Sequence, residues 1–232
     1  MKTAGSGSLI ERLFQTGAHF AQVRSRRHPS MKRFILGAKA RVEIVDLEKT
    51  QDQLEAAKKV LSTLAKDGKT VLFVGGKAEI ATLVKDAAKR INQPYVASRW
   101  LGGTLTNFPE IKKRIDRLAD LTQKRESGEL AKLYTKLERV KIDREIVRLS
   151  ERLDGITELA KRPDALVIVD SKYESHATKE AKALRIPVIG LLGSDCNLSD
   201  ATFPVVANDA SRETVSFVLA ELTAAFEEGR KA

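Results

Sequence analysis

Cysteine is almost missing from this 232-residue chain; its one example is Cys196. A lone thiol excludes an internal disulfide framework and any zinc site built on several cysteines, and it fits a reducing compartment. Aromatic residues are scarce at 5% of the chain, with a single tryptophan, Trp100. The three histidines, His19, His28 and His176, lie far apart and lack the spacing that seats a metal on one helix face, so neither metal nor cofactor is expected. Long apolar runs are missing too, and none approaches the about 20 residues of a membrane helix. The opening Met1–Ser8 has no apolar stretch behind it and reads as a short flexible lead, not a secretory signal. A cytoplasmic protein with no membrane partner is the expectation.

What the chain has in excess is positive charge. The formal net charge is +10 and the isoelectric point about 9.7. The excess is uneven. The first 162 residues hold 34 Lys and Arg against 20 Asp and Glu, and the last 70 hold 7 against 11. Basic charge gathered on one part of a chain points to a polyanion partner, nucleic acid first.

Residues 1–40 form a basic arm in which Arg24, Arg26, Arg27, Lys32, Arg33 and Lys39 crowd around His28-Pro29. One short helix is expected near Leu9–Phe14. Part of this arm is expected to order only on its polyanion partner, because like charges repel and ordering a residue costs about 1–2 kcal/mol. A strand–helix rhythm follows. Residues 41–46 read as a strand, Leu54, Ala57, Val60, Leu61 and Leu64 as a helix stripe, and residues 70–74 as a strand buried on both faces. A helix is expected over about 77–90 and a short strand at 95–97. Further strands are expected at 165–170, 187–192 and 203–206, with helices over 175–184 and 211–228. This alternation predicts a doubly wound, Rossmann-like α/β fold with a parallel sheet, divided between residues 41–108 and 163–232.

Residues 109–162 break the rhythm. They hold no strand candidate, and their apolar residues fall three and four apart with charged flanks. Ile111, Ile115, Leu118 and Leu121 make one stripe. Leu130, Leu133, Leu137 and Val140, then Ile142, Ile146, Leu149 and Leu153, make the second after a break at Ser127-Gly128. An antiparallel coiled-coil hairpin inserted into the α/β domain is the expectation.

The α/β core invites an enzyme reading, and the residues argue against it. Gly75-Gly76-Lys77 follows a strand and precedes a helix, but the third glycine of a dinucleotide fingerprint is missing. Gly68-Lys69-Thr70 ends like a phosphate-binding loop, yet position 63 is threonine and a strand follows instead of a helix. Asp170 and Asp195 stand after strands, where α/β enzymes keep carboxylates, and capping or loop bonding suits them equally. No catalytic residue is assigned. A nucleotide- or sugar-phosphate-binding enzyme and a protein-only adaptor acting through the coiled coil remain the alternatives. Ligand stabilisation would mark the first, and RNA affinity too weak to resist physiological salt the second.

The segment Arg99-Trp100-Leu101-Gly102-Gly103-Thr104-Leu105-Thr106-Asn107-Phe108 resembles the hallmark of the S-two family of bacterial small-subunit ribosomal proteins. Thr16-Gly17-Ala18-His19-Phe20, Ile44–Thr50, Pro163-Asp164-Ala165-Leu166 and Ile186-Pro187-Val188 are similar to the family in the same order, so the likeness spans roughly residues 8 to 228. Departures fall at 21–23, 193–197 and 206–210. The resemblance implies a Rossmann-like body with an inserted coiled coil, bound to the ribosome and free of catalysis. Its implied partners are small-subunit rRNA and neighbouring ribosomal proteins, among them the large mRNA-binding protein S-one. Candidate RNA contacts are the six arm cations, Arg99, Lys112, Lys113 and Arg114 at the base of the hairpin, and Thr104, Thr106 and Asn107 in the hallmark segment.

Overall fold

Val71–Val74 (β4) is apolar at four successive positions, and all four are buried. So are all five residues of Ala165–Val169 (β6) and of Val188–Leu192 (β7). Strands covered on both faces belong in a parallel sheet under two helical layers. The computed structural model, which describes residues 8–231, has that arrangement. Five parallel strands run in the order Tyr95–Val96 (β5), β4, β6, β7 and Phe203–Val206 (β8). The flexible lead expected over Met1–Ser8 lies, except for Ser8, outside the described residues.

Alternate residues of each strand serve different cores. Val71, Phe73, Val167, Val169, Ile189 and Leu191 face one layer. That layer holds Leu9–Gln15 (α1), Leu47–Lys66 (α2), Ala81–Arg90 (α3) and Arg212–Lys231 (α8). Leu72, Val74, Leu166, Ile168, Val188 and Leu192 face the other. There lie the hairpin, Ser175–Ala183 (α7) and part of the arm. The helix expected from about 77 starts at Ala81, because residues 78–80 form a turn.

The arm holds regular structure. Phe20–Val23 (β1), Ile35–Lys39 (β2) and Val42–Val45 (β3) build a second, antiparallel sheet in the order β1-β3-β2. The strand expected at 41–46 therefore forms, but it pairs with the arm and not with the parallel sheet. Ala40 and Arg41, both at positive φ, make the tight β2–β3 turn. Met31 and Phe34 anchor the arm in the second core.

The insertion is a helical hairpin with three helices. Phe108–Glu126 (α4) buries Ile111, Ile115, Leu118 and Leu121 against Lys136–Leu153 (α6), which turns Ile146 and Leu153 inward. Between them lies the short Glu129–Leu133 (α5), entered through Gly128 in the left-handed region. The second helix was expected to continue through residues 133–140. It restarts instead at Thr135, whose capping box with Glu138 begins α6. This offset leaves Leu133, Leu137 and Val140 exposed, so the inward stripe of α6 begins at Ile142.

Candidate nucleic-acid interface

In a doubly wound sheet, ligands bind beyond the carboxyl ends of the strands where the strand order reverses. Here that point lies between β4 and β6, beside Gly75-Gly76-Lys77 and Asp170. The chain closes it with its own groups. The Gly76 amide donates to Glu174 Oε1 at 2.7 Å, so a carboxylate from the start of α7 stands where a phosphate would. A Cβ on Gly76 would meet the Ser98 backbone, so this backbone passage requires glycine.

Lys77 pairs with Asp170 and approaches Asp209 at 3.8 Å. Asp170 has a positive φ, which its side chain supports by accepting the amides of Lys172 and Tyr173, both at 3.0 Å. Burial would raise Asp170, yet the Lys77 ammonium and the Tyr173 amide hold it below the usual carboxylate range. Asp209 goes the other way: burial and then the Asp170 charge push it up to about 7, and its Oδ2 has no hydrogen bond. Burial, then Asp170, pushes the Cys196 thiol up to about 12. Asp170, Cys196 and Asp209 offer possible metal-ligand atoms within 4.8 Å of one another. Lys77 is the cation that meets the two carboxylates. A cleft of about 660 Å³ opens at the other end of the strands, between residues 92–95 and 154–161.

The hallmark segment wraps around one carboxylate. Glu180, on α7, accepts the Trp100 indole N–H at 3.0 Å and the Gly103 amide at 2.8 Å through Oε1. Its Oε2 accepts the amides of Leu105 and Thr106 and the Thr106 hydroxyl, all at 3.0–3.1 Å. Burial opposes the charge, but the indole and the three amides hold Glu180 below its ordinary range. Trp100, Leu105 and Phe108 sink into the second core and fix the root of the hairpin.

The structure places the candidate RNA contacts in three settings. Thr104 is buried, its hydroxyl donating to the Leu101 carbonyl at 2.6 Å, and the Thr106 hydroxyl is engaged with Glu180. Arg27 forms a 2.7 Å pair with buried Glu43. Lys112 and Lys113 pair with Asp116 and Glu110 on their own helix, in partly exposed bridges. Arg24, Arg26, Lys32, Arg33, Lys39, Arg99 and Arg114 are exposed and have no ion pair among the described residues, and Asn107 is exposed as the N-cap of α4. Arg33 lies over the Phe34 ring at 5.0 Å. Sequence reasoning missed Glu180 as the organiser of the hallmark segment and Asp209 as a member of the Lys77 cluster. Neither carries a local signal, since each acts on residues dozens of positions away.

Comparison with known proteins identifies the family. The model of the family described as Ribosomal protein S2 matches residues 13–229. A small ribosomal subunit protein uS2 of Mesoplasma florum is 40% identical over 219 residues, covering 94% of this chain and 82% of that protein. Its namesake in Dictyoglomus thermophilum is 37% identical over 222 residues, covering 96% and 90%. That in Coprothermobacter proteolyticus is 36% identical over 222 residues, covering 96% and 82%. No helix among the described residues is long and apolar enough to cross a membrane. A match over nearly the whole chain shows that it belongs to the ribosomal protein S2 family, whose role is structural and not catalytic.

Proposed function

We propose that this chain binds small-subunit rRNA and neighbouring ribosomal proteins as a fixed part of the small ribosomal subunit in the cytoplasm, and so supports translation. The supporting observation is the set of exposed cations that have no carboxylate partner among the described residues, at Arg24, Arg26, Lys32, Arg33 and Lys39 of the arm and Arg99 and Arg114 of the hairpin root. Exposed guanidinium and ammonium groups are suited to phosphate, and a phosphate contact carries no sequence information of its own. Lys112 and Lys113 join this set, because surface bridges such as theirs contribute only about 0–1 kcal/mol and yield readily to a phosphate. Arg27 does not, since Glu43 holds it internally. Thr104 and Thr106 act from within: they shape the root, which presents Arg99 and Asn107.

Protein neighbours are favoured by the apolar side chains left exposed on the hairpin, Leu133, Leu137, Val140 and Val147. The S-one protein is the neighbour that the family likeness adds.

The test is binding of the whole chain to small-subunit rRNA across a salt series, with an Arg99→Ala/Lys112→Ala/Lys113→Ala variant alongside. The expected result is steep salt dependence for the wild type and a slope shallower by about 2–3 in the variant, at about 0.7–0.9 per phosphate contact. Wild-type binding no tighter than that of an unrelated protein of equal charge would refute the proposal.

A further inference from the structure

The last 70 residues carry more acid than base, which by composition alone removes them from an RNA-binding surface. The structure changes that count at α7. Its own carboxylate, Glu180, and the one that precedes it, Glu174, are both turned inward onto N–H donors. Glu174 takes the Gly76 amide and is 3% exposed. Glu180 takes the Trp100 indole and the amides of Gly103, Leu105 and Thr106. Ala177, Thr178 and Ala181 face the core. What remains outside is His176, Lys179, Lys182 and, just beyond the helix end, Arg185, all exposed and without an ion pair among the described residues.

The surroundings of α7 favour the same reading. On one flank lies the hallmark segment, held through Glu180, with exposed Arg99 next to Trp100. On another lies the turn Leu198–Asp200, whose Leu198 amide donates to Ser30 of the basic arm at 3.1 Å. The arm also joins this region through the His28 amide, which donates to the Ser194 carbonyl at 2.9 Å. Of two nearby acids, Asp195 is paired with Lys172 at 2.9 Å, while Asp200 accepts the Ser171 hydroxyl at 3.4 Å and keeps its charge. The other helical layer differs, because there Glu221 and Glu227 of α8 cancel Arg12, Lys58 and Arg90. On α4, too, Lys112, Lys113 and Lys124 are matched by carboxylates of the same helix.

We infer that the outward face of α7 is a phosphate-binding surface for the RNA backbone, with Lys179 and Lys182 as its principal contacts, lying between the arm and the hairpin root. The inference rests on the RNA-binding reading above and extends it to a helix that the charge count excludes. Residues three apart on a helix stand side by side, with Cβ atoms about 5–6 Å apart, so both ammonium groups can engage one strand. Neither has to abandon a carboxylate to do so.

The experiment uses the full chain and small-subunit rRNA between about 50 and 200 mM salt. It compares Lys179→Gln/Lys182→Gln with Lys59→Gln/Lys66→Gln on α2, which removes the same charge from exposed positions of the other layer. The expected result is a slope shallower by about 1.4–1.8 for the α7 variant, two contacts at about 0.7–0.9 each, and a much smaller change for the α2 variant. Equal slopes for the two variants, with a steep wild-type slope, overturn the α7 surface and leave the RNA reading standing. A wild type that fails to bind RNA overturns both.

Discussion

Glu180 accepts the indole N–H of Trp100 at 3.0 Å, although 79 other residues separate them along the chain. The same carboxylate gathers three backbone amides of the hallmark segment, and its charge is stabilised by all of them. That segment is thus an anion cradle filled by the protein itself. Glu180→Ala is expected to lower stability by about 2–3 kcal/mol by leaving these donors without their charged acceptor. Trp100, the chain's only tryptophan, reports the change, and its emission should shift to the red in the still-folded variant. Unaltered melting and emission would show that the cradle does not hold the root.

Asp209 sets a pH dependence. Its folded-state pKa of about 7 lies above the ordinary 3.8, so the folded state binds the proton more tightly. The contribution to stability is then complete below about pH 4 and is lost as pH rises to about 7. Asp209→Asn should therefore gain stability relative to wild type between those pH values and hold a constant gain above them. Thermal melts at pH 5 and pH 8 measure this, and a gain that is larger at pH 5 would contradict it.

Arg27 is expected to behave as a structural residue. Its partner Glu43 is 2% exposed, so Arg27→Ala leaves a buried charge uncompensated and should cost about 3 kcal/mol. The salt slope of RNA binding should stay at the wild-type value while the fold is intact. A stable variant with a shallower slope would instead place Arg27 among the phosphate contacts.

Gly155 marks the return of the hairpin to the sheet, where a Cβ would collide with the backbone carbonyl of Tyr95 on edge strand β5. Gly155→Ala should cost about 1–3 kcal/mol by forcing the return away from that edge. Chemical denaturation reads the loss. A neutral result would mean that the return has room to move.

Much of the fold is legible in the sequence because burial writes itself locally. Four or five apolar residues in succession at 71–74, 165–169 and 188–192 read as strands covered on both faces, and stripes at 111–121 and 142–153 as helices with one inward side. The arm was harder to read, because β1 and β2 are stabilised by pairing with β3 and not by an apolar pattern of their own. Exposed residues such as Leu36 hide the strand period. The candidate site was legible only in outline. Charge counting names the arm and the hairpin root as candidates, but it could not reveal that Arg27 is paired with Glu43. Nor could it reveal that Glu174 and Glu180 turn inward and leave α7 with a cationic exterior. Those facts depend on contacts between residues 16 to 98 positions apart.

The most direct test of the account is sedimentation of the chain with small ribosomal subunits stripped of their own copy of this protein. The account predicts that the chain travels with the subunit at one copy per particle, and that rising salt releases it steeply. A chain that stays at the top of the gradient at low salt, while a control ribosomal protein rebinds, would contradict it.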